Sequence, residues 1–415
     1  MTAREAALRA LTACRKNGAW SDGALKQLLA GMERREAALA SRLCYGVLQN
    51  RMLLDYWLSF FVRGKVQPVV QDILRLALYQ IKFSDKIPPS AAVNEAVEQT
   101  KRSANVQASK LVNGVLRSIL RAKRLPEPED LATKYSHPQA LVELLDAQYG
   151  EKTEAILRSH NEAPETVLQV NTLKTTAAKL AMALEEAGAE YCGHESLPNC
   201  LYVSSTGSLE ALKPYRDGWF YVQDAAARLA VEAAEIQPEM RVLDCCAAPG
   251  GKSFAAAMRL ENRGELISCD IHAHKLKLIE NGASRLGVEI LKTKLQDAST
   301  LVPEWVGAMD AVICDVPCSG LGVIRKKPDI RYKELKQTER LPELQRRILE
   351  NQANYVKPNG VLIYSTCTIL RRENEAVVEA FLAEHPQFIS QGMKTYLPCD
   401  DNTDGFFICK LRRKP

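Results

Sequence analysis

Several common signatures are missing from this sequence, and each absence argues against a class of protein. No apolar run approaches the roughly 18 residues that cross a bilayer. The N-terminus, MTAREAALRALTACRK (1–16), is amphipathic and has no apolar signal core. The twelve cysteines include no CxxC pair and the six histidines are scattered, so neither a zinc site nor a disulfide framework is expected. We therefore expect a cytoplasmic protein without a metal, in which most cysteines are small buried side chains.

Acidic residues are scarce in the first part of the chain. Residues 1–124 contain 21 Lys/Arg and 9 Asp/Glu, a net charge of +12, whereas the remainder contains 34 and 41, a net charge of −7. The whole chain of 415 residues carries +5. A basic N-terminal third predicts a phosphate-rich partner such as RNA, and the alternative is a solvated helical surface.

The apolar residues of residues 1–125 recur at helical spacing, which predicts an all-helical domain. Prolines punctuate this pattern at Pro68 and at Pro88-Pro89. The segment LPEPED (125–130) is typical of a linker. Residues 131–235 then show a β-α-β pattern in TVLQVNT (166–172), TAAKLAMALEEAG (176–188) and LYVSS (201–205), which predicts a small α+β domain.

Short apolar strands alternate with helices in the last part of the chain, residues 236–415. This alternation predicts an α/β domain with a parallel-rich sheet that is covered on both faces and binds ligands at the carboxyl ends of its strands. The predicted strands are MRVLDCC (240–246), ELISCD (265–270), VEILKT (288–293), DAVICD (310–315) and GVLIYSTC (360–367). The predicted helices are 272–286, 340–356 and 372–384.

A glycine turn, CCAAPGGKS (245–253), follows the first of these strands. Its end mimics the phosphate loop G-x-x-x-x-G-K-[ST], but Cys246 stands where that loop needs its first glycine. The other interpretation is a turn that binds an adenosine-type cofactor, although G-x-G-x-x-G is absent too. Asp270 lies twenty residues after Gly250, the spacing of a carboxylate that grips ribose hydroxyls. Asp297 and Asp315 also follow strands, which favours the cofactor interpretation over three unrelated caps or turns.

Cys318 and Cys367 follow the fourth and fifth strands of the domain. If those strands are neighbours, both thiols face one crevice. A thiolate that adds to C6 of cytosine makes C5 nucleophilic, and a second group must then remove the C5 proton. The alternative is two unrelated core thiols. Chemistry alone does not decide which cysteine attacks.

Four stretches of the sequence carry a family resemblance: CCAAPGGKS, DVPCSGLGVIRKKPDIRY (315–332), YSTCTILRRENE (364–375) and DGFFICKLRRK (404–414). They resemble the Sun/Fmu family of RNA cytosine-C5 methyltransferases, most closely the bacterial 16S ribosomal RNA enzymes of the RsmB type. The basic N-terminal helices resemble the NusB-type RNA-binding fold. The resemblance implies a Rossmann-like methyltransferase domain that uses S-adenosylmethionine.

The resemblance also implies a role for each matching residue. The Thr-Cys match at 366–367 implies that Cys367 is the nucleophile and that Cys318 removes the C5 proton. The Pro-Cys pattern of DNA cytosine methyltransferases would instead point to Cys318 as the nucleophile. Asp270 is expected at the ribose, Asp297 near the adenine amine, and Asp315 with Lys252 at the target pyrimidine. The whole implied cofactor site comprises Cys246, Ala247, Ala248, Pro249, Gly250, Gly251, Lys252, Asp270, Asp297 and Asp315.

The expected substrate is a single-stranded or loop region of 16S ribosomal RNA, because the target cytosine must leave its stack. The loop GVIRKKPDIRYK (322–333) holds five Lys/Arg in twelve residues, which predicts phosphate contacts or, alternatively, a solvated charged loop. A transfer RNA target and a non-catalytic RNA-binding factor are the other functions considered. We expect a monomer.

Overall fold

The computed structural model describes residues 1–17, 20–204 and 208–415. They form two compact units. Unit 1 comprises Met1–Glu162 and Ile324–Lys333, and unit 2 comprises Ala163–Val323 and Glu334–Pro415. None of the helices in these described parts combines the length and apolarity needed to cross a bilayer.

Unit 1 is all-helical, and the helical prediction for residues 1–125 is confirmed. Residues 131–162, which were predicted to belong to the small α+β domain, also form helices and belong to unit 1. Pro68 and Pro89 each occupy the first position of a helix, where the missing N–H group of proline costs no hydrogen bond. Asn105 caps a further helix, because its side chain accepts a hydrogen bond from Ala108 N at 2.8 Å. The helices are α1 (Ala3–Asn17), α2 (Ser21–Leu29), α3 (Arg34–Gln49), α4 (Arg51–Ser59), α5 (Pro68–Phe83), α6 (Pro89–Ser103), α7 (Val106–Arg121), α8 (Leu131–Tyr135), α9 (Gln139–Tyr149) and α10 (Thr153–Ser159). The apolar faces of α1 to α7 meet in one core that includes Leu43, Leu54 and Leu74.

Unit 2 begins with the predicted small α+β fold. Its four-stranded antiparallel sheet has the order β2-β3-β1-β4. The elements are β1 (Thr166–Val170), α11 (Ala177–Glu186), β2 (Glu190–Gly193), β3 (Cys200–Ser204), α12 (Lys213–Arg216) and β4 (Phe220–Val222). The last residue of the predicted strand 201–205, Ser205, lies outside the described residues.

The second part of unit 2 is a seven-stranded sheet with helices on both faces. Its strands are β5 (Arg241–Asp244), β6 (Glu265–Asp270), β7 (Leu291–Leu295), β8 (Met309–Asp315), β9 (Val356–Thr366), β10 (Phe388–Tyr396) and β11 (Phe406–Arg413). Its helices are α13 (Ala225–Ala233), α14 (Gly251–Leu260), α15 (Ala273–Leu286), α16 (Leu341–Ala353), α17 (Glu375–Glu384) and α18 (Pro398–Asp401).

The order of this sheet is β10-β11-β9-β8-β5-β6-β7, with β5 to β9 parallel and β10 and β11 antiparallel. The predicted α/β class with a parallel-rich sheet is confirmed. Strand residues alternate between the two faces. Val242 and Val361 belong to one hydrophobic core, whereas their neighbours Leu243 and Leu362 belong to the other. Chain order reverses at β5, which has β6 on one side and β8 on the other, and such a switch point opens a crevice for a ligand.

Candidate active site

The site is built on β8 and β9, which are adjacent parallel strands with Asp315 paired to Ser365 in register. The loop after each strand carries one of the predicted cysteines. The Sγ atoms of Cys318 and Cys367 lie 3.2 Å apart, so that one thiol donates to the other, and both side chains are half-buried. The structure therefore brings together the two thiols that the sequence singled out.

Hydrogen bonds tie the two cysteine loops to each other. Val316 N donates to Ser365 O at 3.1 Å, and Gly322 N donates to Cys367 O at 3.0 Å. Gly322 also lies so close to the chain at Gly405 that a Cβ on it would stand 1.9 Å from Gly405 O. A side chain at position 322 would therefore collide with the backbone at Gly405, and its Cβ would also stand 2.9 Å from Cys367 O.

A half-buried ion pair lies at the end of β8. Lys252 Nζ is 2.6 Å from Asp315 Oδ2, and Ser365 Oγ donates to Asp315 Oδ1 at 2.8 Å. Burial lowers the pKa of Lys252, but the charge and hydrogen bond of Asp315 outweigh burial and leave that pKa raised. Lys252 is thus a fixed cation, and a negative charge on Cys367 interacts favourably with it.

The two thiols have different electrostatic surroundings. The pKa of Cys318 is held well above the ordinary thiol value by its hydrogen bond with Cys367, by burial, and by the negative charges of Cys367, Glu373 and Asp315. Two thiols in contact cannot both ionise readily. The negative charges of Asp315 and Glu373 thus act on Cys318, whereas Lys252 and Cys367 interact with each other electrostatically.

The glycine turn connects β5 to α14 as predicted. Gly250 has a φ of +112°, a backbone conformation that favours glycine, and a Cβ on Gly251 would stand 2.8 Å from Gln223 Nε2. Ala247 N donates to Cys269 O at 2.8 Å, which fixes the turn against the end of β6. The run from Cys246 to Lys252 therefore leads into the N-terminus of α14, where free backbone N–H groups attract polar ligands.

Asp270 is the last residue of β6, and Asp297 follows the neighbouring strand β7. Asp270 is 7% exposed, and its Oδ1 accepts a hydrogen bond from His272 N at 2.9 Å. Its Oδ2 has no hydrogen-bond partner among the described residues. Asp297 Oδ1 accepts from Ser299 N at 2.9 Å and from Ser299 Oγ at 2.8 Å, and these bonds lower the pKa of Asp297. Asp297 thus makes the contacts of an ordinary turn residue, which was the alternative to cofactor binding.

Asp244, at the end of β5, is a buried residue of the site that the sequence analysis did not single out. Ser253 Oγ donates to Asp244 Oδ2 at 2.7 Å, and Ser268 Oγ donates to Ser253 Oγ at 2.7 Å. Burial raises the pKa of Asp244 to about 7 although Ser253 and Lys252 oppose that shift. The sequence signal that could have identified Asp244 is its position at the end of the strand that precedes the glycine turn.

One basic residue was assigned wrongly. Arg331, counted in the loop expected to contact phosphate, is 1% exposed and belongs to unit 1. Its guanidinium donates to Gln49 O at 2.9 Å and Asn161 Oδ1 at 2.8 Å, and also to the carbonyl oxygens of Tyr135, Ser136 and His160. Arg331 is therefore a structural cation of unit 1 and is not available to a phosphate. The charge count of the loop could not reveal this, because the carbonyls come from distant parts of the chain.

The described residues contain no group of three or more His, Cys, Asp or Glu side chains that could hold a metal ion. The donors that are present suit an adenosine-type cofactor instead. They are a glycine turn at a helix N-terminus and a half-satisfied carboxylate, Asp270, at the end of the next strand.

Comparison with solved structures shows which fold the chain shares, and a family model indicates the class of protein. The crystal structure of PH0851 superimposes with a TM-score of 0.84 and 26% identity, over 99% of this chain and 98% of that one. NSun6 from Pyrococcus horikoshii, solved with SFG, shares the fold over 67% of this chain and 98% of its own, with a TM-score of 0.62 and 23% identity. The family model for 16S rRNA methyltransferase RsmB/F matches residues 231–412, so the class of the protein is that of the RNA methyltransferases.

Further matches give the particular family. Residues 1–121 match the NusB family, and residues 137–210 match the ferredoxin-like domain of RsmF/B-like methyltransferases. A Bacillus subtilis (strain 168) protein named "probable ribosomal RNA small subunit methyltransferase B" is 38% identical over 99% of this chain and 98% of its own length. The Klebsiella pneumoniae (strain MGH 78578) "ribosomal RNA small subunit methyltransferase B" is 31% identical over 99% of this chain and 98% of its own. The chain belongs to the RsmB-type branch of the Sun/Fmu family of 16S rRNA methyltransferases.

Proposed function

We propose that the protein transfers a methyl group from S-adenosylmethionine to C5 of a cytosine in 16S ribosomal RNA, through a covalent bond between Cys367 and C6. The observation that carries the proposal is the 3.2 Å contact between the thiols of Cys318 and Cys367 beside the Lys252–Asp315 ion pair. A single thiol would suffice for a structural role. Two thiols in contact supply both a nucleophile and a base for one ring.

The first step uses Cys367. As a thiolate that interacts favourably with Lys252, it adds to C6 of the cytosine, and the electrons of the C5=C6 bond move to C5. Asp315 and Lys252, fixed against each other at 2.6 Å, are placed to orient the pyrimidine. When bound, S-adenosylmethionine would supply an electrophilic methyl group for C5, with the S–C bond breaking and S-adenosylhomocysteine as the leaving group.

The second step uses Cys318. Its thiolate takes the C5 proton, the C–H electrons re-form the C5=C6 bond, and the Cys367–C6 bond breaks to return the Cys367 thiolate. Methyl has then replaced hydrogen. Cys318 loses its own thiol proton to solvent before this step, and the C5 proton then restores the protonated Cys318 of the resting protein. Formation of the Cys367–C6 bond helps this step, because it removes the hydrogen bond and the negative charge of Cys367 that raise the pKa of Cys318.

The cofactor would be held by the turn from Cys246 to Lys252 and by Asp270, with Asp297 at the end of the next strand. Asp270 offers Oδ2 as an acceptor for ribose hydroxyls, the use that its position after β6 suggests. The P. horikoshii NSun6 structure holds SFG, an S-adenosylmethionine analogue, which supports this choice of cofactor.

The proposal is tested by trapping the adduct. Wild type, Cys367→Ala and Cys318→Ala are incubated with S-adenosylmethionine and 16S ribosomal RNA, and the protein–RNA adduct is resolved on a denaturing gel. Cys318→Ala should accumulate the adduct, and Cys367→Ala should form neither adduct nor 5-methylcytosine. Methylation by Cys367→Ala would refute the assignment.

The same assay separates the other functions. A transfer RNA substrate in a parallel reaction should remain unmethylated if 16S ribosomal RNA is the target. Cys192→Ala is a matched control, because Cys192 is an exposed cysteine in the small sheet, and it should methylate like wild type. Binding of RNA without methylation of either RNA by wild type would instead indicate a non-catalytic RNA-binding factor.

A further inference from the structure

The turn Glu373–Asn374, which precedes α17, is buried beside the two cysteine loops. Both residues are 0% exposed. A carboxylate is rarely buried without a partner of opposite charge. We define the Cys318 loop as residues 316–319 and the Cys367 loop as residues 366–368.

Glu373 holds the Cys318 loop. Ser319 N donates to Glu373 Oε2 at 2.8 Å, and Gln345 Nε2 donates to the same oxygen at 3.0 Å. Gln345 Nε2 also donates to Pro317 O at 2.9 Å. The residues on both sides of Cys318 are therefore fixed, directly or through Gln345, by one carboxylate oxygen.

Asn374 holds the Cys367 loop. Thr366 Oγ1 donates to Asn374 Oδ1 at 2.6 Å, and Asn374 Nδ2 donates to Thr368 O at 3.0 Å. The residues on both sides of Cys367 are thus fixed by the neighbour of Glu373. Consecutive residues of one turn clamp the two thiols, and Ser319 Oγ completes the arrangement by donating to Thr368 Oγ1 at 2.8 Å.

The clamp is also electrostatic. Only Oε2 of Glu373 is hydrogen-bonded; Oε1 is buried and has no partner among the described residues. The charge of this carboxylate is therefore poorly compensated. It contributes, after the hydrogen bond with Cys367, burial and the charge of Cys367, to the raised pKa of Cys318.

We propose that Glu373 is a positioning residue for the two-thiol reaction, which fixes the Cys318 loop and keeps Cys318 protonated until Cys367 has bonded to its substrate. This inference rests on the proposed function, because it assigns an order to the two thiols of that reaction. Cys318 then acts as a hydrogen-bond donor to the Cys367 thiolate in the resting protein. It becomes a base only when the bond to C6 has removed that thiolate.

The test measures the ionisation of Cys318 without RNA or cofactor. In a Cys367→Ala background, the rate of iodoacetamide alkylation at Cys318 is followed by mass spectrometry of its peptide from pH 6 to 10. Glu373→Gln keeps the shape but removes the charge, so the alkylation midpoint should fall by about one pH unit, and the rate below the midpoint should rise ~10-fold. Glu379→Gln is the matched control, because Glu379 lies on α17 in an exposed ion pair with Arg371 and should leave the rate unchanged.

A second variant separates charge from loop opening. Glu373→Asp keeps the charge and should leave the alkylation rate within about twofold of the Cys367→Ala parent. A ~10-fold increase in both Glu373→Gln and Glu373→Asp, or in neither, would overturn the proposal. If Glu373→Gln does not fold, Glu373→Asp decides alone: a Cys318 midpoint at or below the ordinary thiol value of about 8.5 would overturn it.

Methylation assays then tell the two proposals apart. With Cys367 present, Glu373→Gln should slow methyl transfer and change its pH profile, whereas Glu379→Gln should leave both unchanged. If the wild type does not methylate cytosine, the proposed function fails while the thiol titration still reports the charge effect of Glu373. If methylation proceeds but the titration is unaffected by Glu373→Gln, only the inference about Glu373 fails.

Discussion

Cys318 Sγ lies 3.2 Å from Cys367 Sγ, although 49 positions separate the two residues in the chain. The contact exists because β8 and β9 are neighbouring parallel strands whose carboxyl ends finish in register, at Asp315 and Ser365. Everything proposed for the chemistry depends on this contact.

Asp270→Asn should weaken binding of S-adenosylmethionine ~10- to 100-fold, because a hydrogen bond to a charged group contributes about 1.5–3 kcal/mol. Isothermal titration calorimetry measures the change. The control is Asp310→Asn. Asp310 lies near the opposite end of β8, where it pairs with Lys357 and accepts from Arg241 N, so its loss should leave cofactor affinity unchanged. Equal affinities of Asp270→Asn and wild type would contradict the proposed role.

Asp244 should make the stability of the wild type depend on pH. Its folded pKa is raised to about 7 from an ordinary 3.8, so the folded protein binds a proton there that the unfolded chain has lost. The resulting stabilisation is lost as the pH rises towards 7. Between pH 5 and 8 the free energy of unfolding of wild type should fall by about 2 to 3 kcal/mol relative to Asp244→Asn, which has no such group. Urea unfolding at the two pH values checks this, and a constant difference would contradict it.

Arg331→Met should destabilise unit 1 by about 3 kcal/mol or more, because it leaves several buried carbonyl oxygens without a donor. Hydrogen exchange of the amides of α3 and α8 reports the loss as faster opening. Lys327→Met is the matched control, since Lys327 is exposed in the same segment and its replacement should change stability by less than about 0.5 kcal/mol. Equal exchange in the two variants would show that the buried guanidinium is dispensable.

The exposed cations of α7 should contribute to RNA binding. Replacing Lys110, Arg117 and Arg121 together by Gln should reduce the slope of log affinity against log salt by about 2, since each phosphate contact with single-stranded RNA contributes about 0.7. Filter binding to 16S ribosomal RNA at several salt concentrations measures the slope. The control triple variant replaces Arg263, Lys292 and Lys357, which already pair with carboxylates at the amino ends of the parallel strands. A slope unchanged by the α7 variant would mean that its charge serves only solubility.

Substitution is a sharper test of the basic N-terminal third than deletion of residues 1–125. Residues 324–333 belong to unit 1, where Ser21 N donates to Asp329 Oδ2 at 2.9 Å and Tyr332 OH donates to Leu48 O at 2.8 Å. Deletion would leave this segment without its partners. Loss of RNA binding could then reflect a damaged segment and not the missing charge.

Local patterns were sufficient to predict much of the fold. Helical spacing of apolar residues and short apolar runs depend on neighbouring residues, so the helical character of residues 1–125 and the strand β8 were foreseen. The antiparallel strands β10 and β11 were not predicted, because ISQGMKTY (389–396) has little apolar alternation and is a strand through its pairing with β11. The start of β9 at Val356, before the polar residues Lys357 and Asn359, was missed for a similar reason.

The sequence by itself determined the residue types of the site: two cysteines, a glycine turn and carboxylates, each directly after a strand. Those features follow from the chain's local order, and the family resemblance added their expected roles. Only the tertiary structure decided which distant groups meet them. It placed Arg331 among carbonyls of unit 1, and it placed Glu373 and Asn374 against the cysteine loops. Burial and charge compensation arise from contacts between residues far apart in the chain. Neither can therefore be predicted from the residues that precede and follow a given position.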